Sequence, residues 1–215
     1  MQTTIRRSTA QRRHQIARAV LEIIEKKGIA AFTTTTLARE VGVTSGALFR
    51  HFESRDEMLL EAVRYAATKI DATFPDDTLP AEDRLLRFAR DRVRLLRSEP
   101  GIVWLLTTEQ ARLALSGDAV ALLEERIQRS RRFVLDALRE GAAQGTIRND
   151  IKPSELLVLV MGTIHALRGV AGASQTGTTT HSRNTNRILS ALMKMIAPDS
   201  SHKRRTRTKK GESKK

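Results

Sequence analysis

Not one of the 215 residues is cysteine, which rules out a disulfide framework and a thiolate metal site and fits a reducing compartment. The opening MQTTIRRSTAQRRHQIARAV lacks the apolar core and small-residue cleavage site of a secretory signal, so the chain is expected to stay in the cytoplasm. No run is long enough to cross a bilayer. The longest apolar stretch, LLVLVMGTIHALRGVAGA from Leu156, is broken by His165 and Arg168 and falls short of the roughly 20 apolar residues a spanning helix needs. Catalytic constellations are missing as well: no carboxylate pair in an apolar setting, no nucleophile with its base, no phosphate-cradling glycine loop. The glycines around Gly169 and Gly172 follow no strand. His14, His181 and His202 share no metal-ligand spacing. Neither an enzyme, a metal nor a cofactor is expected.

What the chain has in excess is positive charge. Its 38 Lys and Arg oppose 24 Asp and Glu, a formal +14, and such an excess attracts polyanions, meaning nucleic acid or an anionic membrane surface. Hydrophobic content of 40% is ordinary for a chain that buries a core. Apolar residues recur at helical spacing throughout, with no convincing strand and no internal repeat.

The spacing predicts an all-α fold of about nine helices. Ile16, Val20, Ile23 and Ile24 mark a helix over 9–27 that Gly28 stops. A short helix follows over 33–41 with Thr33 as N-cap, and another over 44–52 with Thr44 as N-cap. A fourth runs from Arg55 to before Pro75, carrying Met58, Leu59, Ala62, Val63, Ala66 and Ile70 on its inner face. Beyond the polar, proline-bearing PDDTLPAED come a helix marked by Leu85, Ala89, Val93 and Leu96 and stopped by SEPG, and helices over about 102–115 and 118–143. Pro153 then opens a helix reaching residue 170, and a last one spans 188–196. The tail DSSHKRRTRTKKGESKK, residues 199–215, has no apolar residue and is expected to be disordered, either a solubilising tail or a phosphate-binding arm.

The stretch VGVTSGALFRHFESRDEMLL, residues 41–60, is the most informative. Gly42 ends one short helix and Thr44 begins another at once, which is the layout of a helix-turn-helix. Ala38 is small where the two helices must cross closely, and Leu37, Val41, Val43 and Leu48 supply their shared core. Around this corner, TTTTLAREVGVTSGALFRHFESRDEMLLEAV resembles the DNA-binding region of the TetR family of bacterial transcription regulators, the likeness running from the first helix, with its EKKG, to the start of the fourth.

That resemblance implies roles for particular residues. Thr33 and Thr34 fall where the second helix presents its N-terminus to a phosphate, and Thr35 where a side chain reaches a base edge. Thr44 caps the recognition helix, and Ser45, Gly46, Ala47 and Arg50 occupy its groove-facing positions. Phe49 and His51 stand where the family's tyrosine and histidine touch the DNA backbone, and Arg55 where a lysine does so. Phenylalanine has no hydroxyl to donate to a phosphate; arginine keeps the charge of the lysine it replaces.

The resemblance also implies a domain plan: a DNA-binding domain over 1–54, a helical ligand-binding and dimerisation domain over 55–197 with helix four, 55–74, joining the two, and the tail from 198. A homodimer on a palindromic double-stranded DNA operator is implied, with a four-helix bundle as its interface. Leu156, Val160, Ile164 and Leu167 on one helix, and Ile188, Leu189, Leu192, Met193 and Ile196 on the last, are the expected contacts. Phe88, Trp104, Thr107, Thr108, Met161 and His165 are the expected lining of a pocket for a small lipophilic effector, with no membrane involved. The expected function is a repressor that a small molecule releases. The alternative is a DNA-binding adaptor of the same fold whose effector is a protein.

Overall fold

The computed structural model describes residues 9–169 and 178–198. The basic tail and the Gly- and Thr-rich stretch 170–177 lie outside them. Among the described residues there are ten α-helices, one 3-10 turn and no strand. The helices are α1 (Thr9–Lys27), α2 (Thr34–Val41), α3 (Ser45–Leu48), α4 (Arg55–Asp71), α5 (Ala81–Ser98), α6 (Pro100–Thr107), α7 (Glu109–Ala114), α8 (Gly117–Gln144), α9 (Pro153–Gly169) and α10 (Thr178–Ile196). The 3-10 turn, Ile29–Ala31, follows α1.

The chain forms two compact units. The described residues of the first are 9–73 and 94–129, and those of the second 74–93, 130–169 and 178–198.

In the first unit α1 is the central element. Ile16, Val20, Leu21, Ile23 and Ile24 are buried on it, facing Met58, Leu59, Ala62, Val63 and Ala66 of α4 and Ile102 and Leu105 of α6. Burying each such aliphatic side chain contributes about 1.5–3 kcal/mol relative to exposure. At Gly101 the approach of α6 to α1 leaves no room for a side chain: a Cβ there would lie 2.7 Å from both the Leu21 carbonyl oxygen and its Cβ. Polar ties add direction. The Tyr65 hydroxyl donates to Glu99 at 2.9 Å, and Asp71 accepts from Arg126 at 3.0 Å and Arg129 at 2.9 Å.

The second unit is built round an aromatic cluster. Phe74, Phe88 and Phe133 lie with ring centroids 5.2–5.5 Å apart. The Arg92 guanidinium, 4% exposed, sits 4.7 Å over the Phe88 ring and donates to the Ser130 hydroxyl at 3.1 Å. At the far end of α10, Arg148 satisfies two of the carbonyls a helix end leaves open, its backbone N–H reaching Ile196 at 2.8 Å and its side chain Met195 at 3.0 Å.

Three elements differ from the sequence-based expectation. The helix expected over 102–115 is two helices, because Thr108 leaves helical geometry with ψ 140 and its hydroxyl caps α7 through the Ala111 N–H at 3.3 Å. The last helix begins at Thr178, ten residues before Ile188, through a threonine-rich turn that carries no apolar stripe. The third helix is four residues long instead of nine. Past Leu48 the chain stays wound only as turns, with the His51 and Phe52 N–H groups both returning to the Leu48 carbonyl at 2.9 and 3.1 Å.

Candidate nucleic-acid interface

Three successive side-chain caps shape the corner. Thr33 accepts from the Thr36 N–H at 3.1 Å, Thr44 from Ala47 at 3.2 Å and Ser54 from Glu57 at 3.1 Å. Each cap is worth about 1 kcal/mol, and each starts a helix where the sequence places it. Between the first two, Gly42 adopts φ 70, ψ 41, a left-handed conformation that a Cβ would penalise. The Val43 N–H then closes on the Ala38 carbonyl at 2.9 Å, the six-to-one bond of a Schellman turn. Leu37, Ala38, Val41 and Leu48 are buried beneath, and Val43 is half-buried.

This arrangement leaves a connected outer surface. Thr33, Thr35, Thr44, Gly46, Phe49 and Arg50 are exposed, while Thr34, Ser45, Ala47, His51 and Arg55 are half-buried. All eleven expected DNA-contact residues lie in the first unit. Phe49 is 50% exposed, the only large apolar side chain among them. Gly46 is informative for a different reason. Nothing lies within 4 Å of where its Cβ would be, so the fold itself has no steric need for glycine there. A glycine inside a helix costs about 1 kcal/mol relative to alanine, and an approaching molecule is what such a bare backbone accommodates.

Residues that sequence reasoning missed hold the corner in place. Arg13 of α1 donates to the His51 carbonyl, pairs with Glu57 at 3.0 Å and Glu61 at 2.9 Å, and lies 4.3 Å over the Phe52 ring. Burial alone would lower the Arg13 pKa, but Glu61 and Glu57 outweigh it and hold it above the ordinary value. Glu57 and Glu61 were the available signal: two carboxylates four residues apart on one helix repel unless a cation comes from elsewhere. Arg55 is seated by Phe32, its Nε donating to the Phe32 carbonyl at 3.2 Å and its guanidinium 4.8 Å over the ring. The His51 Nδ1 is buried with no hydrogen-bond partner.

The residues expected to line an effector pocket divide between the units. Phe88, Met161 and His165 belong to the second, and Trp104, Thr107 and Thr108 to the first. Both threonine hydroxyls donate back along their own helix, to Val103 and Trp104, each at 2.8 Å. Phe88 is buried in the aromatic cluster. His165 reaches the surface of α9, yet crowding of its ring, followed by Arg168 and Arg92, holds its pKa below the ordinary histidine value.

Most residues of the expected dimer contact are packed within the chain itself. Leu156, Val160, Ile164, Leu167, Leu189, Leu192 and Ile196 are buried within the single chain, and Ile188 and Met193 are half-buried. The apolar side chains that α9 and α10 turn outward are Val158, Leu159 and Met195, at 64, 46 and 61% exposure, beside the small Gly162, Ala166 and Ala191. α9 is apolar on all sides, so periodicity alone cannot tell which of its faces the chain covers.

A capped helix-turn-helix with an exposed outer face defines a DNA-binding regulator. Residues 16–62 match the family described as bacterial regulatory proteins, tetR family. The nucleoid occlusion factor SlmA of Vibrio cholerae is 33% identical over 167 residues, 72% of this chain and 82% of that protein. The HTH-type transcriptional repressor KstR2 of Mycobacterium tuberculosis is 26% identical over 143 residues, 65% of this chain and 71% of the relative. The solved structure of the ketosteroid transcriptional regulator KstR2 from the same organism superposes with a TM-score of 0.73 at 23% identity, covering 86% of this chain and 95% of that one, which establishes the shared fold. The chain belongs to the TetR family, whose members are transcription regulators. No helix among the described residues is long and apolar enough to cross a membrane.

Proposed function

We propose that the protein is a dimeric repressor that reads a palindromic operator with α3 and is released by a small lipophilic effector. The observation that carries the DNA half is Gly46, an exposed glycine of the corner that the fold does not need. Around it Ser45, Ala47 and Arg50 face the groove, Thr35 reaches a base edge, and Thr33, Thr34, Thr44, His51 and Arg55 meet the backbone. The relative KstR2, described as a repressor, supports the regulatory direction. The outward faces of α9 and α10, with Val158, Leu159 and Met195, are the interface this reading assigns to the second copy. Within the second unit, Phe88, Met161 and His165 are the residues this reading assigns to a neutral or weakly anionic effector. A second reading, an adaptor with a protein effector, draws on the identity to a protein named a nucleoid occlusion factor.

The test separates reading from positioning. With an operator selected from random DNA, Arg50→Ala should relax preference at one position per half-site by about 1–3 kcal/mol. Arg55→Ala should weaken all sequences alike and reduce the salt slope by about one unit. An Arg50→Ala protein with an unchanged base-preference profile would mean that α3 presents another face to DNA.

A further inference from the structure

Among the expected DNA contacts, Phe49 is the one whose chemistry fits neither a phosphate nor a hydrogen-bonding base edge. Its ring is 50% exposed, whereas Phe52 and Phe32, the other phenylalanines of the corner, are 1% and 2% exposed. Each of those two lies under an arginine, Arg13 at 4.3 Å and Arg55 at 4.8 Å from the ring centroid. Among the described residues no cation lies over Phe49 and no second ring packs on it. The core beneath the corner is supplied by its neighbours Leu48 and Phe52, both fully buried. Half of a phenyl ring held in water forgoes burial that the hydrophobic effect would reward, and no fold-building role accounts for that half.

The position of Phe49 is as informative as its exposure. It is the C-cap of α3 with φ −69, ψ −6, so the right-handed winding of Ser45–Leu48 continues through it. Residues three and four apart share one face of such a winding, which sets Phe49 beside Gly46 and Ser45. The Cα–Cβ bonds of a helix tilt toward its N-terminus, so that of Phe49 points along this face toward Gly46. At Gly46 nothing stands within 4 Å of where a Cβ would be. An exposed apolar ring and a bare backbone therefore share one face, one turn apart.

A phenyl ring carries no hydrogen-bond donor or acceptor, so it cannot pair with a phosphate or with the ring nitrogens, carbonyls and amino groups of the base edges. The apolar group that the major groove presents is the C5-methyl of thymine. We propose that Phe49 is a specificity-determining residue that packs on a thymine methyl in each half-site, with the bare backbone at Gly46 admitting the base edge beside the ring. This rests on operator binding through α3 and adds to it a reader that makes no hydrogen bond.

The test uses an operator selected from random DNA with the full-length wild-type chain, then remade with each thymine in turn replaced by deoxyuridine, which lacks only that methyl. One thymine per half-site should be sensitive to Phe49, its replacement lowering affinity about fourfold, which is what burying one methyl returns. Phe49→Ala should bind the thymine operator more weakly and should no longer tell thymine from deoxyuridine at that position. A thymine whose methyl meets Ala47 instead keeps its effect in this variant. Melting curves report that the variant is folded. A wild type indifferent to every deoxyuridine, or a Phe49→Ala protein that keeps every wild-type preference for thymine, would overturn the proposal and leave operator binding standing. Failure of the wild type to select any operator would overturn both.

Discussion

Arg13 is the residue where α1, the turns that follow α3 and helix α4 meet. Its partner Glu57 is held below the ordinary carboxylate range, first by the Glu53 N–H at 2.6 Å and then by Arg13. The folded chain therefore binds this proton more weakly than the unfolded chain does. The resulting stability is complete above the ordinary glutamate value of about 4.3 and is lost as pH falls through the lower folded value. Glu57→Gln should cost about 1 kcal/mol at neutral pH, and the gap to wild type should narrow in thermal melts as the pH falls below the ordinary glutamate value. A gap that persists in acid would mean that Glu57 acts through shape alone.

At the scale of elements, two glycines that look alike in sequence have opposite meanings. Gly101→Ala should destabilise by about 1–3 kcal/mol, since the new methyl meets the Leu21 backbone and cannot be accommodated by a side-chain rotation. Gly46→Ala should leave the melting temperature unchanged or raise it, a gain of up to about 1 kcal/mol, while weakening operator binding. Calorimetry with operator titration checks both, and undiminished affinity in Gly46→Ala would mean that DNA does not approach the backbone closely there. The end of α1, the start of α2 and the corner between α2 and α3 were legible because local chemistry specifies them: Gly28, Thr33, Gly42 and Thr44 act within a few residues. The break at Thr108 was not, since apolar residues continue on both sides of it and only the threonine's hydroxyl ends the run. The shortness of α3 was hidden too, as the backbone beyond Leu48 is held by Arg13, 38 residues before His51.

At the scale of the whole molecule, the question is which face of α9 and α10 meets a partner. Leu159→Glu or Met195→Glu should give a folded monomer, because the new charge stays in water until a second copy tries to cover it. Leu192→Glu, by contrast, places a charge inside the chain and should cost several kcal/mol of folding free energy. Sedimentation together with melting curves separates the outcomes, and a dimer unaffected by both outward variants would rule out this interface. The sequence shows that both helices have apolar faces to cover, but choosing between the faces needs the positions of the other helices.

The four residues of α3 have a practical meaning for anyone who would borrow its specificity. A helix of that length has no conformational life outside its setting, since nucleation alone outweighs what so few backbone bonds return. Transplanting Ser45–Leu48 into another scaffold, or synthesising it as a peptide, would carry the letters without the shape. The smallest portable unit includes the clamp: Arg13 from α1, the Phe32 seat of Arg55, and the Ser54–Glu57 start of α4.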